Sequence, residues 1–160
     1  MSRLLSALEP STREMAEKAL EEIKAQGLDV LIICTWRSWD EQAAEYAKGR
    51  TAPGNIVTKA RPGQSWHQWG RALDFVPRRN GKALVWGTRG NGLDQNPSDD
   101  ATDDLELWQR CAACFKMHGF QWAGDWTTFK EFPHVENRGG LSTRLLMEKY
   151  PKGLKPGEFV

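Results

Sequence analysis

Apolar residues along this chain fall into stretches of helical spacing separated by short apolar runs. Met15, Ala16, Ala19, Leu20 and Ile23 share one helical face, Ser11-Thr12-Arg13-Glu14 reads as the capping box that opens that helix, and Gly27 as its stop. Leu28 to Thr35 is a β-branched apolar run, which predicts a buried strand. Ser38-Trp39-Asp40-Glu41 is a second capping box, opening a short helix that reaches about Lys48 before Gly49. Gly49 to Trp66 is a long Gly-, Pro- and Thr-rich loop, and a loop of that length inside a compact domain is often functional. Arg71 to Val76 predicts a strand with Ala72, Asp74 and Val76 on one face, and Asn80-Gly81 a hairpin turn into a strand over Lys82 to Trp86. After an irregular acidic stretch, Thr88 to Asp104, a helix runs from about Asp103 to His118 with Leu105, Trp108, Ala112 and Phe115 inward. Short strands over Phe120 to Ala123 and His134 to Asn137 follow, then a helix from about Leu141 to Tyr150. The Pro- and Gly-containing tail reads as a strap or a frayed end.

The pattern predicts an α+β fold: one domain spanning 1–160, with a core of about 10–150, a tail from 151, and no separate second domain. A small central antiparallel sheet is flanked by helices. The length of 160 residues suits one domain with a proper core. A net charge of +1 offers no electrostatic case for nucleic acid or an anionic membrane. No apolar run approaches the ~20 residues of a membrane span, and the N-terminus lacks the apolar region of a signal peptide. The expectation is a monomer made in a cytoplasm, without stable membrane association. Three cysteines, an odd count, argue against a disulfide scaffold. Cys111 and Cys114 have C-x-x-C spacing but lie within a helical pattern, which favours two small residues near a buried helix face.

Three histidines narrow the chemistry. His67 and Asp74 lie seven residues apart across Gly70, and His134 stands in Glu131-Phe132-Pro133-His134. A carboxylate at Asp74 among small apolar neighbours is costly without a partner, and a metal would be one. Two imidazoles and one carboxylate suit one zinc ion with a fourth position open, the pattern of a hydrolytic rather than a structural site. Zinc lowers the pKa of a bound water toward ~7 and polarises a carbonyl; a nearby carboxylate must then move the proton, and Glu131 is the candidate. That assignment assumes Glu131 lies in the turn before the strand. On residue types alone, a catalytic zinc and a set of satisfied polar residues both stay open. His118 closes a predicted helix, where a cation suits the dipole. Arg37 ends a predicted strand, as an ion-pair partner or a group that binds substrate and steadies an oxyanion. Trp66, Trp69 and Trp126 flank these positions as core or as groove walls. Asp94, Asn96, Ser98 and Asp100 alternate like the start of a calcium loop, but the glycine at the sixth position and the glutamate at the twelfth are missing; a solvated cap for the next helix is favoured over calcium.

Ser65-x-His67-x-x-Gly70-x-Ala72-x-Asp74 followed by Glu131-x-Pro133-His134 resembles the D-alanyl-D-alanine carboxypeptidase and L-alanyl-D-glutamate endopeptidase group of zinc metallopeptidases, which share the hedgehog/D-Ala-D-Ala peptidase fold. Thr35-Trp36-Arg37-Ser38 with Gln42 and Tyr46, the loop from Gly49 to Ala60, and Gly124-Asp125-Trp126 are similar to bacteriophage endolysins of this group. The resemblance covers about Leu28 to Glu136. It implies zinc on His67, Asp74 and His134, Glu131 as general base and acid, and Arg37 binding or polarising substrate, with Ser65, Gln42, Trp66 and Trp126 as further substrate contacts. Glu131 stands where many endolysins carry aspartate, and Val135 where an aromatic is common. The function implied is cleavage of the L-alanyl-D-glutamate bond in the stem peptide of bacterial peptidoglycan, for host lysis. The enzyme would wait in the host cytoplasm for a holin and act on peptidoglycan in the periplasm. A D-alanyl-D-alanine carboxypeptidase is the alternative. A non-catalytic zinc-stabilised wall-binding or phage structural module is a further one, and Glu131 argues against it, since binding alone needs no base.

Overall fold

The computed structural model describes residues 1–79, 81–87 and 100–159. Most of the acidic stretch from Thr88, with the calcium-loop positions Asp94, Asn96 and Ser98, lies outside the described residues, as does Asn80 of the hairpin turn. Four α-helices are present among the described residues: α1 (Pro10–Ala25), α2 (Trp39–Ala47), α3 (Asp100–Met117) and α4 (Thr143–Lys149). The strands are β1 (Val30–Cys34), β2 (Ala72–Arg79), β3 (Ala83–Leu84), β4 (Gln121–Trp122) and β5 (His134–Glu136). Short 3-10 turns lie at Leu5–Ala7, Trp66–Trp69 and Ala123–Asp125.

Helix α1 starts one residue before the expected capping box, at Pro10. Proline suits the first helical position because its missing N–H needs no partner there. The cap is the side chain of Glu9, which accepts from the N–H groups of Ser11 (3.0 Å) and Thr12 (3.1 Å) and from both hydroxyls. Burial pushes the Glu9 carboxyl up, but these bonds outweigh it and hold its pKa below the ordinary 4.5. Helix α2 begins as expected: the Ser38 hydroxyl accepts from Glu41 N–H and the Glu41 carboxylate from Ser38 N–H.

Contacts divide the chain into two units: Met1–Arg13, Cys34–Leu73 and Glu136–Val160 form the first, Glu14–Ile33 and Asp74–Val135 the second. The second unit carries nearly all of a small antiparallel sheet of order β1-β2-β5-β4, with β3 paired to β2 through Arg78↔Leu84 and Arg79↔Ala83. Strand β1 was expected to be buried. It lies at the sheet edge, so Val30 to Ile33 stay half-buried and only Cys34 is fully enclosed. Strand β2 runs to Arg79, past the expected end, and Phe75 stacks on Phe115 of α3 (4.9 Å) and against Trp108 (5.3 Å). Cys111 and Cys114 are buried free thiols on α3. Burial pushes Cys111 up to about 12 and raises Cys114 as well, so both stay protonated and poor as metal or redox groups.

The first unit has its own core of Trp66, Trp69 and Ala72, against which Trp39, Leu146, Met147, Tyr150 and Leu154 pack. Trp39 meets Trp69 edge-on at 6.1 Å. Trp69 donates its indole N–H to the Gly63 carbonyl (3.0 Å), and Gln68 accepts from Gly63 N–H (2.6 Å). The tail is a strap rather than a frayed end: Leu154 joins this core, and its carbonyl accepts from the Trp36 indole (3.3 Å).

Candidate metal centre and active site

In the first unit the segment Ser65-Trp66-His67-Gln68-Trp69 is a 3-10 turn closed by Gly70 at φ +64°. A Cβ at Gly70 would stand 2.7 Å from the Glu9 nitrogen, so only glycine fits both the left-handed backbone and the close approach. His67 is 3 % exposed, and its Nδ1 lies 2.8 Å from the main-chain carbonyl of Thr35. A carbonyl only accepts, so Nδ1 carries the proton and Nε2 keeps its lone pair. Cys34 Sγ is 3.6 Å from the same Nδ1. Arg37 gives its main-chain N–H to the His67 carbonyl (3.4 Å). Its guanidinium donates from Nη1 to Gln42 Oε1 (2.9 Å) and from Nη2 to Cys34 Sγ (3.7 Å). Gln42 is wholly buried and donates from Nε2 to the Ala60 carbonyl (2.8 Å), which ties the long loop to α2. The structure therefore places Gln42 behind Arg37. Ser65 is buried too, and Trp66, read as a substrate contact or groove wall, sits 8 % exposed in the core.

In the second unit Asp74 of β2 and His134, the first residue of β5, lie on neighbouring strands. Asp74 Oδ1 is 3.1 Å from His134 Nδ1, and the His134 side chain is 8 % exposed. Trp126 is half-buried with its ring 5.9 Å from the His134 imidazole, so of the two tryptophans named as contacts this one lies beside a candidate ligand. Glu131 is half-buried in the turn ahead of β5, where its carbonyl accepts from His134 N–H (3.1 Å). The placement assumed from Pro133 is the one observed. Phe129, in the loop leading to this turn, has φ +50°, the one positive value at a non-glycine position among the described residues.

The donor chemistry fits zinc on both counts. A metal-ligating histidine commonly gives its second ring nitrogen to a carbonyl, as His67 does, which fixes the tautomer. Two donors on a tetrahedral zinc stand about 3.4 Å apart when each bond is near 2.1 Å, within a few tenths of an ångström of the 3.1 Å between His134 Nδ1 and Asp74 Oδ1. The sequence named both imidazoles and the carboxylate but missed Cys34 and the Thr35 carbonyl. A carbonyl leaves no mark in a sequence; Cys34 left one, standing three residues before Arg37 at the end of an apolar run.

Imidazole and carboxylate are the donor types that a metallopeptidase's zinc takes. The chain belongs to the peptidase M15 family: the family described as D-alanyl-D-alanine carboxypeptidase matches residues 58–137, which span His67, Asp74, Glu131 and His134. It is 36 % identical over 131 residues to the peptidoglycan L-alanyl-D-glutamate endopeptidase CwlK of Bacillus subtilis (strain 168), covering 82 % of this chain and 74 % of that protein. The L-alanyl-D-glutamate peptidase of Listeria phage A118 is 29 % identical over 140 residues; the match covers 87 % of this chain but 41 % of the phage protein. The fold is shared with the L-Ala D-Glu endopeptidase ChiX of Serratia marcescens (TM-score 0.57, 17 % identity, 92 % of this chain and 86 % of that one). It is also shared with the LD-carboxypeptidase LdcB (TM-score 0.55, 19 % identity, 89 % and 64 %). No helix among the described residues is long and apolar enough to cross a membrane.

Proposed function

We propose that this chain is a zinc-dependent peptidoglycan hydrolase that cleaves the L-alanyl-D-glutamate bond of the stem peptide. The observation that carries the reading is its likeness, over more than four fifths of its length, to two proteins named for that bond. His67 through Nε2, Asp74 through its carboxylate and His134 through Nδ1 would hold the zinc, which when bound supplies a Lewis acid for the scissile carbonyl and makes water a nucleophile near neutral pH. Glu131 takes the proton of the attacking water and returns it to the leaving amine nitrogen. Arg37, steered by Gln42 and Cys34, turns its guanidinium on the carbonyl oxygen as negative charge develops there. The phage origin of one relative supports a role in host lysis; a holin would then release the enzyme to the wall. Residues 1–160 are read as one peptidase domain, with its core from about 10 to 150.

The test is mass spectrometry of peptidoglycan digested with the purified protein, with and without a chelator. Released peptides that begin with D-glutamate, and that vanish with the chelator, are the expected result. Peptides beginning with L-alanine would mean amidase cutting and overturn the bond assignment. Loss of terminal D-alanine alone would favour the carboxypeptidase reading that the family description carries.

A further inference from the structure

A cavity of about 180 Å³ lies in the first unit where the connection from β1 to α2 meets the strap. Trp36 and Trp39 line it together with Arg37 and with Gln68, the residue after His67. Lys152 and Lys155 line it from the strap, and Asp40 is its one acidic residue. The strap is built to run there. Gly153 has φ +74°, and a Cβ on it would stand 2.9 Å from two atoms of the Trp39 ring. With the Trp36 indole holding the Leu154 carbonyl (3.3 Å), the backbone between the two lysines is fixed on both sides. Three cationic residues and one anionic residue therefore line the cavity beside two tryptophans. A cavity of that volume has room for one acidic side chain.

Resting on the hydrolase reading, we infer that this cavity binds a carboxylate of the substrate: the free carboxyl of the glutamyl residue on the leaving side of the scissile bond. A glutamyl residue in a peptide uses one carboxyl in the chain and keeps the other. That second carboxylate lies within one residue of the bond to be cut, and Arg37 and Gln68 place the cavity next to the segment that holds His67. Lys152 and Lys155 are exposed, so the attraction is screened by salt. They act as specificity determinants and take no part in bond cleavage.

The experiment compares two synthetic L-alanyl-D-glutamyl peptides, one with the free carboxylate and one with its primary amide. The wild-type protein is expected to prefer the free acid by about three- to tenfold in KM at low salt, less as salt rises. Lys152→Ala with Lys155→Ala should reduce that preference, read as a smaller KM difference between the two peptides. A double variant that keeps the wild-type preference, or a wild type with none, overturns the inference. Calorimetry of the D-glutamyl product peptide reads the cavity without turnover: weaker binding by the double variant supports it, and equal binding overturns it. Failure to cleave either peptide would count against the hydrolase reading, and the calorimetry would still decide the cavity.

Discussion

The two histidines expected to bind metal are held in opposite ways. His67, in a 3-10 turn of the first unit, turns Nδ1 to a main-chain carbonyl, which makes Nε2 the lone-pair nitrogen of the ring. His134, at the head of a strand in the second unit, turns Nδ1 itself toward the Asp74 carboxylate. One imidazole is locked from behind by the backbone, and the other is carried on a strand beside a carboxylate and the Trp126 ring. The difference teaches that a pair of histidines in a motif says nothing about which ring nitrogen binds. At His67 the fold assigns it through the carbonyl brought to the other nitrogen, whereas at His134 it brings Nδ1 up to the carboxylate that would share the metal.

The largest expected effect is loss of either imidazole: His67→Ala and His134→Ala should each abolish zinc retention and hydrolysis, read by metal analysis and by peptide release. Glu131→Gln should keep the zinc and lower kcat by ~10²- to 10⁴-fold; normal turnover would remove Glu131 from the mechanism. The contrast itself is tested by amide replacements, because glutamine carries its polar terminus where Nε2 stands and asparagine where Nδ1 stands. His67→Gln should retain zinc about tenfold better than His67→Asn, with the order reversed at His134. The same order at both positions in zinc titrations would break the distinction drawn here.

A smaller effect concerns what supports the His67 turn. Glu9 gives its N–H to the Gly70 carbonyl (2.9 Å) while its carboxylate caps α1 and lies 3.6 Å from Arg71. Its pKa is lowered in the folded state, so its contribution to stability is complete above the ordinary value of 4.5 and is lost as pH falls through the lowered one. Glu9→Gln should cost about 1 kcal/mol at neutral pH and flatten the acid limb of the stability curve, measured by denaturant titration between pH 3 and pH 7. The smallest effect lies away from both histidines: Cys111, with its pKa pushed up to about 12, should resist alkylation in the native protein at pH 8.

Much of this was legible along the chain. Helical and strand periodicity located the four helices and the main strands, because each depends on neighbours a few residues away. The two-part motif named His67, Asp74, Glu131 and His134, because zinc hydrolysis restricts the residue types that can serve. The misses have a common cause. Ser11 looked like a cap because the local spacing permits it, yet the tertiary turn delivers the Glu9 carboxylate instead. The run ending at Cys34 looked like a buried strand because apolar content does not reveal an edge position. Trp66 could be wall or core until α4 and the strap were seen to pack on it.

The sequence alone therefore determined the elements, the ligand types and the class of chemistry, all set by local spacing and by what each side chain can donate or accept. Tertiary structure decided which nitrogen of each histidine is available, that Gln42 and Cys34 steer Arg37, and that the tail brings two lysines to a cavity. Those outcomes depend on pairings such as Thr35 with His67, 32 residues apart, and Trp36 with Leu154, 118 apart. A backbone carbonyl acquires its direction only when the chain has folded.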